Sequence, residues 1–157
     1  MEKVPFTPDG YAALKEELKR LKTVERPKVS KEIGKAREHG DLRENAEYKA
    51  AKEHQGVVEA RIRDLEDKLV RAEVIDPSKI DGTTVKFGAR VKLQDIESGN
   101  AVEYHIVGPY EADLENGSIS VLAPLAKALI GREVGDQVEV RVPKGIRTFE
   151  ILNIRWK

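Results

Sequence analysis

Residues 36–48 read AREHGDLRENAEY, and within them two carboxylates, Asp41 and Glu44, stand three positions apart. Two kinds of chemistry fit that spacing. Asp-x-x-Glu is a capping-box variant, in which Asp41 is the N-cap of a helix and Glu44 its third residue, and acids suit a helix N-terminus. The same pair on an exposed tip could jointly hold a divalent cation. Magnesium takes six oxygens and gives up water reluctantly, so two carboxylates make a poor site alone. A bare tip also lacks the shaped, dry cavity of metal-assisted hydrolysis. Such a tip could complete another protein's active site, but it is no free-standing hydrolase.

Composition removes other chemistries. Cysteine is absent, so disulfides, thiolate metal sites and Cys nucleophiles are excluded together. The 157 residues carry 28 Lys+Arg against 28 Asp+Glu, a net charge of zero. That balance excludes a polycation that coats nucleic acid by bulk electrostatics. With 39% hydrophobic residues it also excludes an acidic disordered tail. The opening MEKVPFTPDG has no apolar signal-like core, and no window reaches the roughly 18 apolar residues of a membrane span. The expectation is a soluble, cytoplasmic chain with no membrane partner.

The elements that must position the acids follow from where the charge lies. Residues 1–76 hold 34 of the charged side chains, about 45% of that segment, and four of the 12 glycines. The remaining 81 residues are about 27% charged. Two architectures are therefore expected, 1–76 and 83–157, joined by a linker at 77–82.

The first segment reads as an antiparallel helical hairpin. Thr7-Pro8 is a helix start, a capping hydroxyl followed by a residue whose missing N–H costs nothing there. Tyr11, Leu14, Leu18 and Leu21 form a narrow coiled-coil seam. The seam drifts through Glu25 and resumes at Val29, Ile33 and Ala36. Pro27 falls at the drift and cannot donate to the Thr23 carbonyl, so a bend or stutter is expected there. His39-Gly40 is a helix stop. The returning arm shows Val58, Ile62, Leu65, Leu69 and Ala72 in one phase, which runs back through Ala51 and Tyr48. Arms of about thirty residues, roughly 45 Å each, make a stiff probe with the acids at its end, of a kind that fits a narrow channel.

The second segment reads as a small α+β domain. Short alternating runs are expected as strands at 84–87, 90–93, 102–107, 118–122, 137–142 and 148–156. One helix is expected from Pro124 to the Gly131 stop.

Taken in order, these residues resemble the GreA transcript cleavage factors of bacterial RNA polymerase. The resemblance spans essentially the whole chain. It is carried by Gly10-Tyr11, Glu17-Leu18, Leu21-Lys22, Arg26-Pro27, the HGDLRENAEY turn from His39 to Tyr48, Ala50-Ala51-Lys52-Glu53, Arg61-Ile62 and Leu65-Glu66. It continues through Val74-Ile75-Asp76, Phe87-Gly88, Ile106-Val107-Gly108, Glu111-Ala112-Asp113 and Ala128-Leu129-Ile130-Gly131.

The resemblance implies an N-terminal coiled-coil hairpin and a C-terminal FKBP-like α+β domain that docks on the rim of the polymerase secondary channel. It implies that the hairpin enters the channel and stimulates the polymerase's own cleavage of backtracked RNA 3′ ends. The chain is then an accessory factor, not an enzyme, and is expected to act as a monomer. Asp41 and Glu44 match the family's tip acids, which help retain a magnesium ion in the polymerase active site. No cofactor is expected on the chain alone. Arg37 and Lys52 align with the family's basic patch for extruded RNA; without the resemblance each reads equally well as a solvated helix charge. Arg43 and Asn45 flank the acids and either touch the polymerase or finish the turn. Tyr48 either packs near the tip or stacks on RNA. A channel-binding inhibitor that promotes no cleavage is the competing reading, and retention of both acids disfavours it. A prolyl isomerase reading rests on fold analogy alone. The chain departs from the family at Leu122-Ala123-Pro124, where a polar residue and a serine usually precede the proline, so a capping hydroxyl is lost at Ala123.

Overall fold

The computed structural model describes residues 2–39, 45–77 and 83–156. It is α+β and divides into two compact units, Tyr11–Arg71 and a second unit made of Met1–Gly10 with Ala72–Lys157. The helical unit therefore starts later and ends earlier than the 1–76 expected from charge density. The reason is a short parallel pair that the sequence reading missed: β1 (Val4–Phe6) lies beside β2 (Ala72–Val74), and Ile75 N–H donates to the Phe6 carbonyl at 2.9 Å. Residues 78–82 of the expected linker lie outside the described residues.

In the helical unit the outgoing arm is α1 (Pro8–Arg20), a π-helical turn (Leu21–Glu25) and α2 (Arg26–Arg37). Thr7 caps α1, its Oγ1 accepting from Gly10 N–H at 3.1 Å. The π turn is the physical form of the stutter. Arg26 N–H bonds back five residues to the Leu21 carbonyl, and Pro27, one residue later, has no N–H to offer Thr23. From Leu21 to Val29 is eight residues where a heptad seam allows seven, and the wide turn absorbs the extra one. Val29, Ile33 and Ala36 thereby return to the buried face.

The return arm is one helix, α3 (Ala46–Arg71), 26 residues and about 39 Å long. Val29 and Ile33 pack with Ala51, Val58 and Ile62, with Leu18, Leu21 and Tyr48 at the edge. The pairs Arg26–Glu59 and His54–Glu32 run antiparallel in register.

The second unit holds a five-stranded sheet in the order β5-β4-β3-β7-β6. Its strands are β3 (Arg90–Asp95), β4 (Ala101–Val107), β5 (Ser118–Ser120), β6 (Gln137–Val142) and β7 (Gly145–Arg155), with helix α4 (Pro124–Leu129) after β5. All pairings are antiparallel except β4 with β5. Alternation puts Val91 and Leu93 into a core with Ile106, Val138, Val140, Phe149 and Ile151, which Ala126 and Leu129 of α4 complete. Asp95 also falls on the inner face. Its Oδ1 accepts from Glu97 and Ser98 N–H, and Arg147 pairs with its other oxygen, which holds its carboxyl below the usual range.

One expected strand does not form. Residues 84–87 give only a bridge from Thr84 to Glu133, because Gly88 turns the chain at φ +89°. Val85 instead exchanges hydrogen bonds with Gly131 and Arg132 after α4. The family signature around Gly108 and Glu111 has a structural explanation. Glu111 accepts from Thr7 N–H, Thr7 Oγ1 and Gly108 N–H, and a Cβ on residue 108 would collide with the Pro5 carbonyl oxygen.

Ala123 occupies the N-cap of α4 in extended conformation and provides no side-chain bond to the helix. The exchange Ala123→Ser is expected to raise the unfolding free energy by about 0.5–1 kcal/mol. This should be read as a higher urea midpoint at constant slope. An unchanged midpoint would show that the missing hydroxyl costs nothing at this turn.

Candidate functional site at the hairpin end

Helix α2 closes with two tight bonds, Glu38 N–H to the Lys35 carbonyl at 3.1 Å and His39 N–H to the Ala36 carbonyl at 3.2 Å. Helix α3 opens at Ala46, with Asn45 before it as the cap. Asn45 Oδ1 accepts from Tyr48 N–H at 3.0 Å, and the Asn45 carbonyl accepts the first helical bond from Lys49 N–H. The same side chain reaches across the hairpin, its Nδ2 donating to the Ala36 carbonyl at 2.5 Å. One amide thus serves an orphan donor of one helix and an end carbonyl of the other.

The N-cap of α3 is Asn45. Asp41, Arg43 and Glu44 lie outside the described residues, and with them the capping-box reading. The signal for the true cap was in the sequence: an asparagine directly before a good helix former, three residues ahead of Tyr48.

Tyr48 is half-buried and packs against the apolar cluster of the hairpin. The exposed Arg37 places its guanidinium 6.0 Å from the Tyr48 ring centre, within cation–π range. Lys52, also exposed, donates to Gln55 Oε1 at 3.0 Å. The structure thus gives Arg37 and Lys52 different described partners. His39 Nε2 stands 3.5 Å from Glu47 Oε2, both well exposed.

Further along the hairpin, three pairs that sequence reading missed tie the arms together. Arg26 makes a two-pronged pair with Glu59, Arg61 does the same with Glu17, and His54 Nδ1 lies 3.3 Å from Glu32. The Arg26 hydrogen bond holds the Glu59 carboxyl below its ordinary range, and Glu59 raises Arg26. Side chains 22, 33 and 44 residues apart cannot be matched before the register of the hairpin is known. Among the described residues, no cluster of three or more His, Cys, Asp or Glu side chains could hold a metal ion.

A helical hairpin with a closed end and a separate sheet unit define a two-part transcription elongation factor once set beside known proteins. Residues 4–74 match the model of the transcription elongation factor N-terminal domain. Residues 80–155 match that of the GreA/GreB C-terminal domain. The chain is 56% identical over 156 residues to transcription elongation factor GreA of Phenylobacterium zucineum and 52% identical to that of Thermodesulfovibrio yellowstonii, covering 99% of each chain in both comparisons. It is also similar to the crystal structure of the GreA factor homolog 1 protein of Thermus thermophilus, at 32% identity, 98% coverage of this chain, 99% of that one and a TM-score of 0.45. The chain belongs to the GreA/GreB family of transcription elongation factors.

Replacing Asn45 with alanine removes both bonds of the closing amide. The loss of the cap alone is expected to lower the unfolding free energy by about 1 kcal/mol, while Asn45→Asp, which keeps an oxygen at the cap, should lose less. Urea unfolding of the two variants measures the difference, and an alanine variant as stable as the parent would contradict the assigned cap.

Proposed function

We propose that the chain is an accessory factor that binds bacterial RNA polymerase and stimulates the polymerase's own cleavage of backtracked RNA. The hairpin enters the secondary channel, and the sheet unit docks at the channel rim. The observation that carries this reading is the closed hairpin end of a chain in this family. Two long helices are tied together on either side of residues 40–44, the segment that holds both acids.

Each residue then has a defined task. Asp41 and Glu44 supply hard carboxylate oxygens, the donor type magnesium prefers, but too few to complete its shell. They would hold the ion jointly with the polymerase rather than on this chain alone. When bound, such an ion would supply activation of a water and stabilisation of charge on the phosphodiester. Arg37 and Lys52, both exposed, offer cationic contacts to the phosphates of extruded RNA. Such contacts position the RNA without reading its sequence. Asn45 and Tyr48 keep the hairpin end in shape, and Arg43 lies between the acids. In the sheet unit, Phe87 and Phe149 are buried in the fold, which leaves few aromatics to line an isomerase-like pocket. No described helix is long and apolar enough to cross a membrane, in keeping with work beside the polymerase in the cytoplasm.

On this reading, Asp41→Ala and Glu44→Ala each reduce cleavage of stalled complexes to the polymerase's unassisted rate while polymerase binding survives. RNA shortening in purified backtracked complexes and competition binding measure the two. If both variants cleave at the parent rate, the acids have no part in the reaction. If the parent slows elongation without shortening RNA, it is an inhibitor instead.

A further inference from the structure

We infer that Asn45 is a positioning residue for the stimulated reaction, acting through its bridge to Ala36 and not only through its helix cap; the inference rests on the cleavage reading above. Several contacts join the two helix ends beside residues 40–44, and they are unequal. The His39–Glu47 pair is exposed on both sides, 63% and 72%, and exposed pairs of this kind contribute little. The Arg37–Tyr48 contact stands at 6.0 Å, near the limit of a useful cation–π attraction. The Asn45 amide is part-buried and bonded at both ends. Its acceptor is the carbonyl of Ala36, a residue only 2% exposed.

The bond from Asn45 to Ala36 closes a loop nine residues apart in sequence, and both Asp41 and Glu44 lie inside that loop. Among the described residues, the other polar contacts between the two helix ends are wet and weak, and Tyr48 packs into the apolar cluster beside them. Carboxylates that share an ion with another protein must arrive within a fraction of an ångström, and a misplacement of about 1 Å can cost on the order of a hundredfold in rate. The cap and the bridge are made by different atoms, Oδ1 and Nδ2, so they can be separated. Serine at this position keeps a capping oxygen but is too short to carry a donor across to Ala36.

The test compares Asn45→Ser, Asn45→Ala and Asp41→Ala with the parent on one backtracked complex, titrating the factor to saturation. For Asn45→Ser, the maximal cleavage rate is expected to fall by about tenfold or more. Its half-saturating concentration should stay close to the parent's, and its urea midpoint should lie between those of the parent and Asn45→Ala, because the bridge is lost and the cap is kept. The inference is overturned if Asn45→Ser cleaves at the parent's maximal rate, whatever Asn45→Ala does, because the cap is then sufficient. It is overturned equally if the lost activity tracks a rise in half-saturating concentration, since Asn45 then serves binding. Asp41→Ala separates the two readings: parent-like cleavage by that variant removes the acid mechanism itself. Loss of activity in Asp41→Ala with a fully active Asn45→Ser removes only the role of the bridge.

Discussion

A helix leaves four N–H groups at its start and four carbonyls at its end without partners inside the helix. In this chain two helix ends face that problem together, next to residues 40–44. The solution is local and shared. Asn45 caps the incoming helix with its oxygen and serves the outgoing helix with its nitrogen.

The long arms are held by a thin apolar seam, not by their many charges. Val29, Ile33, Ala51, Val58 and Ile62 form the buried strip, and Leu65 is fully buried beyond them. The cross-arm pairs Arg26–Glu59 and Arg61–Glu17 sit on the rim of that strip, with roughly two-fifths of each side chain exposed. Pairs so wet contribute little to stability and mainly select the register. The π turn ahead of Pro27 keeps the strip continuous by taking up one surplus residue. Stiffness here comes from continuous burial along both arms, which is the property a probe of a narrow channel requires.

Much of this was legible in the sequence, for definite reasons. The hairpin seam shows because burial repeats every three or four residues, and Leu14, Val29, Ile33, Ala36, Val58, Ile62 and Leu65 are all buried. The strands of the sheet show because their alternation is strict, as in Arg90–Asp95. The β1–β2 pair was not legible, because two runs of three residues, separated by residues 7–71, carry no pattern that links them. Residues 84–87 alternate like a strand, yet Val85 pairs with the loop after α4 and Gly88 turns the chain away. At the site, residue types were readable but bonding was not. Asn45, which caps α3, was read as either touching the polymerase or finishing the turn. Spacing records which groups could meet; the start of α3 at Ala46 decides which ones do.

A neutral chain does not suggest contact with nucleic acid, but net charge describes only the sum. Of the 28 positive and 28 negative side chains, 34 lie in residues 1–76, where the helical surface is mostly wet. On the proposed reading, the acids and the cations Arg37 and Lys52 act by position. The central claim is that the tip carboxylates share a magnesium ion with the polymerase, and a magnesium titration of cleavage tests it most directly. With a defined backtracked complex, Asp41→Asn keeps the size of the side chain and removes its charge. The half-maximal magnesium concentration should move clearly upward relative to the parent, with activity partly restored at high magnesium. An identical magnesium dependence in parent and variant would contradict the claim.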